Sequence, residues 1–240
     1  MTERAARHVE RGRSFYRVGP SALHWSGRAL EIAIDEVANP LPRRVRGTVR
    51  VELGALSTFV ATLDDAGRHR WGPIAPCARV QVRLQAPALS WDGHAYVDSN
   101  EGDEPISEPF TTWDWMRATL ADGSCVVAYD VHQAHGRADR LIGRRFHPDG
   151  TDGPVELPAR RPLPATRWGI ARHVCAAPPA AQGAPRLLRT LEDTPFYARD
   201  VVQAQLCGQT VQAMHETLDA RRFAAPWVQA LLPWRMPRRR

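Results

Sequence analysis

The feature that most constrains the fold of this chain is a regular recurrence of turn signals between short apolar segments. The signals are tripeptides that end in Gly: Asp65-Ala66-Gly67, Trp91-Asp92-Gly93, Ala121-Asp122-Gly123 and Pro148-Asp149-Gly150. Between two of them, residues 79–85 alternate strictly between polar and apolar, as in a strand with one buried face. Many short strands separated in this way are typical of antiparallel sandwiches and barrels. We therefore predict a mainly β protein.

The predicted strands are short apolar runs bounded by Gly, Pro or Asp. They cover residues 29–34, 47–53, 58–63, 79–85, 95–98, 112–119, 125–131, 141–146 and 166–174. The remaining segments are less regular: residues 1–17 have a helical pattern, 187–218 fit a helix and a strand equally well, and 226–232 predict one or two helical turns. The Pro- and Arg-rich residues 155–164 predict a linker or long crossover, and the Ala- and Pro-rich residues 176–185 a mobile loop.

The composition bears on location and partners. All 32 basic residues are Arg and the net charge is +6, but no nucleic-acid-binding motif accompanies this charge, so we expect no nucleic-acid partner. A basic surface is also compatible with anionic lipid headgroups. The sequence contains no run of 18 apolar residues, the length needed to span a membrane. Its polar start lacks a signal-peptide pattern, which predicts a cytoplasmic protein. The four widely spaced cysteines are expected to be reduced.

Acidic and aromatic side chains are concentrated between residues 94 and 117. Strand alternation places Tyr96 and Asp98 on one face, with Ala95 and Val97 on the other. Acids beside aromatic side chains are costly to bury unless they are paired. The stretch therefore predicts either the polar floor of an apolar cavity, where a phenol and a carboxyl could deliver a proton, or a turn with solvated acids.

Motifs for common catalytic and cofactor-binding sites are missing from the sequence. It contains no G-x-S-x-G, no P-loop, no G-x-G-x-x-G and no H-E-x-x-H. His132 and His135 are three residues apart, but no third metal ligand lies near them in a metal-binding spacing. We therefore predict neither a cofactor nor a metal.

Six segments occur in the same order as in one known family. They are Gly19-Pro20-Ser21-Ala22-Leu23-His24-Trp25, Gly67-Arg68-His69-Arg70-Trp71, Asp98-Ser99-Asn100-Glu101-Gly102-Asp103-Glu104-Pro105, Thr190-Leu191-Glu192-Asp193-Thr194-Pro195-Phe196-Tyr197-Ala198-Arg199, Met214-His215-Glu216-Thr217-Leu218 and Leu232-Pro233-Trp234-Arg235-Met236-Pro237-Arg238. Together they closely resemble the carotenoid 1,2-hydratases (hydroxyneurosporene synthases) of purple and related bacteria. The resemblance covers nearly the whole chain.

The resemblance implies a lipocalin-like β fold with two barrel-like halves and an apolar cavity. We expect a polar segment at 1–17, a first half at 18–154 that carries the active site, and a second half at 155–240. The implied activity is cofactor-independent addition of water to the terminal C1=C2 bond of acyclic carotenoids such as neurosporene and lycopene, which gives a tertiary alcohol. The family's His-x-Trp and Tyr-x-Asp pairs fall here on His69 and Trp71, and on Tyr96 and Asp98.

The chemistry of alkene hydration fits these four residue types. Protonating carbon needs an acid that stays protonated, as a carboxyl in an apolar cavity does, and Asp98 is the candidate. The carbocation needs electron-rich faces, which Trp71 and Tyr96 supply. His69 would take the proton of the captured water. Without the resemblance, a Trp on a strand is more often a core residue, and a His after a turn is often solvated.

Two departures from the family pattern are visible. The family usually has a longer, aromatic-rich region before the first of these segments, so we expect an incomplete first half with an open sheet edge. Glu101 occupies a position where the family pattern has a Trp. This places a charged residue three positions after Asp98, the candidate acid. Asp103, Glu104 and Trp113 are further candidates for orienting Asp98.

Three functions are compatible with the sequence. The first is a hydratase that takes an acyclic carotenoid and water as substrates and touches the inner membrane peripherally from the cytoplasm. The Trp- and Arg-rich residues 233–240 would rest on the membrane interface, or are simply solvated. The second is a non-catalytic carrier of carotenoid or another lipid, and the third, a nucleic-acid-binding protein, rests on charge alone. The intact catalytic pairs favour the first.

Overall fold

The structure is a computed structural model that describes residues 4–38, 41–178 and 184–232. Most of these residues lie in antiparallel strands, so the prediction of a mainly β protein is confirmed. The chain forms two compact units. Unit 1 comprises Met1–Leu56, Ala75–Val97 and Gln229–Arg240, and unit 2 comprises Ser57–Ile74 and Asp98–Val228.

Unit 1 is built on a sheet whose strands follow each other antiparallel in the order β1-β2-β3-β4-β5-β7, with β8 paired to β7. The strands are β1 (Val9–Arg11), β2 (Phe15–Val18), β3 (Ser21–Trp25), β4 (Ala29–Ala38), β5 (Arg43–Glu52), β7 (His69–Ala86) and β8 (Ala88–Gly102). The strict alternation noted at 79–85 is realised in β7, where Val80 and Val82 are buried in the core. Ala95 and Val97 pack against the same core, so Tyr96 and Asp98 leave the opposite face of β8, as predicted.

Unit 2 contains a seven-stranded antiparallel sheet in the order β12-β11-β10-β9-β17-β16-β15. Its strands are β9 (Phe110–Thr119), β10 (Cys125–Gln133), β11 (Arg140–Phe146), β12 (Asp152–Pro154), β15 (Arg186–Asp193), β16 (Tyr197–Leu206) and β17 (Gln209–Asp219). A two-stranded sheet pairs β13 (Arg160–Leu163) with β14 (Arg172–Cys175). The short β6 (Ala61–Thr62) pairs with the first residues of β7. The segment 187–218, ambiguous in sequence, is therefore three strands.

The seven-stranded sheet has two chemically different faces because side chains alternate along each strand. One face, which we call the aromatic face, carries Trp113, Trp115, Tyr129 and Glu216, whose strands are in register. The opposite face carries Asp114 and His215 together with an apolar cluster that includes Met116, Ala128 and Ala213 and packs against Val174 of β14. The aromatic face positions the candidate site.

Several predicted elements differ from the structure. Residues 58–63 form only the two-residue β6. Of the predicted strand 166–174, only residues 172–174 are extended, as the start of β14, and a turn precedes them. Residues 1–17 contain two strands and a 3₁₀ helix of three residues (Ala6–His8), because the pairing of β1 with β2 outweighs a weak helical pattern. Residues 155–164 include strand β13. Trp91-Asp92-Gly93 lies inside β8, and the chain reverses at Pro87, where Pro provides the turn.

Two short helices end the described chain. They are α1 (Ala220–Ala224), capped by the Asp219 side chain, and α2 (Pro226–Leu231), which confirms the predicted helical turns. None of the described helices has the length and apolarity needed to cross a membrane. The predicted tail 233–240 and part of the predicted loop 176–185 lie outside the described residues. The division at residues 17 and 154 stays a prediction.

Candidate active site

The candidate site is organised by a hydrogen bond between two of the predicted residues. The indole Nε1–H of Trp71 donates to Oδ2 of Asp98 at 3.0 Å. Trp71 lies near the start of β7 and is fully buried, whereas Asp98 on β8 is partly exposed. The indole therefore holds the carboxyl group in one orientation while part of that group remains accessible.

Trp71 belongs to a continuous chain of aromatic rings within unit 2. Its indole meets Tyr129 edge-on at 5.5 Å between centroids and Phe59 at 6.0 Å. Tyr129 in turn contacts Trp113, at 6.3 Å, and Trp113 contacts Phe110 at 6.0 Å. Edge-to-face contacts of this kind stabilise each pair, and the chain of rings reaches the Asp98 carboxyl through the Trp71 indole.

His69 is held by acceptors on both sides of its ring. Nδ1 lies 3.0 Å from Oδ2 of Asp64, and Nε2 lies 3.0 Å from the backbone carbonyl oxygen of Glu104. Burial by itself would raise the pKa of Asp64, but hydrogen bonds from the backbone N–H groups of Arg68 and His69 and from the His69 ring keep that pKa below its usual value. Asp64 and His69 are both buried, so the pair fixes the imidazole rigidly.

Close packing reinforces this arrangement. A Cβ atom added to Gly102 would lie 2.8 Å from Cδ2 of His69 and 3.0 Å from Nε2, so only Gly permits this approach. Phe110 covers the ring from another side at 4.9 Å between centroids. With both nitrogens engaged, His69 has no ring nitrogen directed at a substrate water. The base role predicted for His69 stays a prediction, and this geometry favours a positioning role.

The acids that follow Asp98 are paired with Arg68 and Arg70, at the start of β7. Glu104 binds Arg68 at 2.6 Å, and Arg70 binds Asp103 at 3.3 Å and Glu101 at 3.7 Å. Each pair has at least one partner that is more than half exposed, so it contributes little to stability. Glu101, where a Trp was expected, points to solvent with two thirds of its side-chain surface exposed. A role for Asp103 and Glu104 in orienting Asp98 stays a prediction.

Tyr96, the fourth predicted residue, belongs to unit 1 and precedes Asp98 by two positions on β8. Its side chain is partly buried. Because successive side chains of a strand alternate, Tyr96 and Asp98 project from the same side of β8. Of the four predicted residues, the structure thus joins Trp71 and Asp98 by a direct hydrogen bond. His69 lies two residues before Trp71 on β7 and is bonded elsewhere.

An ionic network on the opposite face of the unit 2 sheet could not be read from the sequence. His215 is fully buried between Asp114, 3.5 Å from Nε2, and Asp200, 3.8 Å from Nδ1. Arg172 donates to both carboxylate oxygens of Asp200. Burial opposes both charges, but hydrogen bonds with Asp114 and Asp200 raise the pKa of His215 to about 9. Hydrogen bonds from His173 and His215 lower the pKa of Asp114 to about 2. The residues come from four separate strands, and this is why no spacing revealed them.

Known proteins resemble this chain over its full length. The family model of the carotenoid hydratase CrtC matches residues 1–240. An acyclic carotenoid 1,2-hydratase of Rubrivivax gelatinosus is 52% identical over 240 residues, and one of Thiocapsa roseopersicina is 45% identical. The chain spans 58% of the length of each of these two relatives. A third, from Cereibacter sphaeroides, is 34% identical, and the chain covers 84% of it.

Two solved structures share the fold at low sequence identity. A candidate AttH protein of Nitrosomonas europaea superposes with a TM-score of 0.60 at 12% identity, over 89% of this chain and 72% of that one. Kievitone hydratase of Nectria haematococca superposes with a TM-score of 0.52 at 9% identity, over 85% of this chain and 70% of that one. The assignment to a family rests on the family-model match over the whole chain and on the Cereibacter relative. The chain belongs to the CrtC carotenoid hydratase family.

Proposed function

We propose that this chain hydrates the terminal C1=C2 bond of acyclic carotenoids such as neurosporene and lycopene, giving a tertiary 1-hydroxy carotenoid without a cofactor. The observation that carries the proposal is the hydrogen bond from Trp71 to Asp98 beside a chain of aromatic rings. A carboxyl group oriented by an indole at the end of a chain of aromatic rings suits protonation of an alkene. Family membership supports the carotenoid as substrate and water as co-substrate.

Asp98 is the proton donor in this proposal. Its Oδ2 accepts the Trp71 N–H, so the acidic proton resides on the other carboxyl oxygen. Transfer of this proton to C2 forms a tertiary cation at C1, and addition of water to C1 followed by loss of one proton gives the alcohol. The reaction consumes one water and needs neither an oxidant nor a reductant.

The remaining predicted residues take supporting roles. Trp71 is fully buried, so its N–H orients Asp98 and its ring faces contact protein. Within unit 2, the partly exposed ring of Trp113 is better placed to offer a face to the cation. Tyr96 keeps the role that the sequence predicted for it. His69, with both nitrogens engaged, positions the start of β7 against the backbone of Glu104.

The test is the Asp98→Asn variant, assayed with lycopene or neurosporene by mass spectrometry. Asn retains the volume and accepts the Trp71 N–H but cannot donate an acidic proton, so the product heavier by one water should disappear while the fold is kept. Asp92→Asn, an exposed carboxylate on the same strand, should leave product formation unchanged. Full hydration by Asp98→Asn would contradict the role of Asp98. Carotenoid binding without product in the wild-type chain would favour the carrier function.

A peripheral contact with the inner membrane from the cytoplasm forms part of the proposal, since the substrate is a long apolar polyene. Trp168 and Trp227 lie side by side, 6.3 Å between centroids, and each is about half exposed. Arg222 donates to the Trp168 carbonyl oxygen next to them. Paired Trp with Arg is typical of the membrane interface. Trp227→Ala should weaken sedimentation with anionic vesicles, whereas Trp91→Ala in unit 1 should not; equal binding of both variants would contradict this contact.

A further inference from the structure

The Tyr129 hydroxyl is a polar group on a buried aromatic side chain. Tyr129 lies on β10 with 3% of its surface exposed, and its ring is fixed by Trp71 and Trp113. In the part of the chain that the structure describes, no side chain or backbone group hydrogen-bonds to this hydroxyl. A hydroxyl with no protein partner can bind a small polar ligand such as water.

Two carboxyl groups are near enough to Tyr129 to act on its hydroxyl electrostatically. On one side, Tyr129 contacts the indole that donates to Asp98. On the other, the register aligns Tyr129 with Trp115 and Trp115 with Glu216, so the three side chains project from one face of neighbouring strands β10, β9 and β17. Burial raises the pKa of Tyr129, and Asp98 and Glu216 raise it further whenever their carboxyl groups are ionised. The phenol therefore stays protonated and can donate a hydrogen bond.

Glu216 is held in place on the aromatic face. Nε of Arg199 donates to Oε1 of Glu216 at 2.9 Å, and the same N–H reaches the Tyr197 hydroxyl at 3.0 Å. About a quarter of the Glu216 side chain is exposed. A carboxylate that is oriented by a cation and still partly open can accept a further hydrogen bond.

We propose that Tyr129 and Glu216 bind the water that adds to the alkene, with Glu216 as the group that takes its proton. This inference rests on the proposed hydratase function and names the base for that reaction. In the sequence of steps, Asp98 gives its proton to C2, the water oxygen bonds to C1, and the protonated alcohol releases one proton to the Glu216 carboxylate. The proton then returns to Asp98 through bound water, which restores both groups.

The chemistry makes a weak base sufficient. A protonated tertiary alcohol is a strong acid, so even a carboxylate paired with Arg199 can deprotonate it. Positioning of the water therefore accelerates the reaction more than base strength does, because the water must already be in place when the short-lived cation forms. His69, whose nitrogens are bonded to Asp64 and Glu104, is not available for this step in the observed geometry.

The kinetic test compares Tyr129→Phe and Glu216→Gln with Tyr16→Phe and Glu156→Gln, which make the same chemical changes at exposed positions. The first two should lower kcat about 100-fold, the range of a lost general base or its water, with KM unchanged because neither group holds the polyene. Formate should restore part of the activity of Glu216→Ala, since Arg199 remains to bind it, whereas chloride should not. Wild-type kcat in both variants, or a loss that appears only in KM, would overturn the proposal.

A second measurement separates this inference from the proposed function. A high-resolution crystal structure of the chain should show a water within hydrogen-bond distance of both the Tyr129 hydroxyl and the Glu216 carboxylate, and Tyr129→Phe should lose it. Absence of that water in the wild type would overturn the water site even if hydration occurs. Its presence in a chain that hydrates no carotenoid would refute the proposed function and leave the water site standing.

Discussion

The buried His215 makes the stability of this protein depend on pH in a defined window. Its pKa is about 9 in the folded chain, against 6.5 for a free His side chain. A raised folded pKa means that the stabilisation is complete below pH 6.5 and is lost as the pH rises through 9. The carboxylates of Asp114 and Asp200 on either side are the cause, because burial alone would lower the pKa of His215.

The magnitude follows from the linkage relation. With one pKa unit equal to about 1.4 kcal/mol, raising the pH from about 6.5 to about 8.5 should lower the free energy of unfolding by about 2 kcal/mol. Few other groups interfere: the chain contains no Lys, and the buried Cys175, with its pKa raised to about 11, contributes only above pH 9. Asp114, with a pKa of about 2, is ionised throughout this window. His173 also has a raised pKa, but its half-exposed ring makes its share small.

The assay is urea unfolding followed by Trp fluorescence at several pH values, together with an NMR titration of the His215 ring. His215→Gln should be less stable at pH 6.5 by about 3 to 5 kcal/mol, because two carboxylates remain buried without that cation. Its stability should also vary less with pH, whereas the exposed-site variant His24→Gln should keep the wild-type slope. An NMR midpoint near 6.5, or a stability that is equal at pH 6.5 and 8.5, would refute the reasoning.

Two further variants test the packing around the candidate site. Trp71→Phe keeps an aromatic ring but removes the N–H that orients Asp98; loss of about 1.5 to 3 kcal/mol of hydrogen bonding should lower kcat about 10- to 100-fold, and an unchanged kcat in steady-state assays would contradict the orienting role. Gly102→Ala forces a methyl group against the buried His69 ring and should cost about 1 to 3 kcal/mol in thermal unfolding. Gly153→Ala, where a Cβ meets no atom within 4 Å, should be near neutral.

Part of the candidate site was accessible from the sequence because it depends on local order. The two i, i+2 pairs, His69 with Trp71 and Tyr96 with Asp98, lie on strands as the alternation predicts. The packing of Ala95 on the unit 1 core follows from the same period of two. Strand alternation needs no knowledge of partners, so it can be inferred from the chain itself.

Predictions from local sequence were wrong where strand pairing determines the secondary structure. Trp91-Asp92-Gly93 has the composition of a turn, yet it lies within β8, where the ladder with β7 supplies its backbone hydrogen bonds. Residues 9–11 and 15–17 lie in the segment with a weak helical pattern, but they pair within β1 and β2. In both cases, hydrogen bonding to a distant or neighbouring strand outweighs the propensity of a few residues.

By itself, the sequence determined the β class, the alternation along the strands and the residue types able to protonate an alkene, since each of these is a property of neighbouring positions. Only the tertiary structure decided which groups meet. It brought the Trp71 N–H to Asp98, engaged both nitrogens of His69, aligned Tyr129 with Glu216 across β9, and placed His215 between two carboxylates. Such contacts join strands that are far apart in the chain, and they are set by sheet register and burial, which no local pattern specifies.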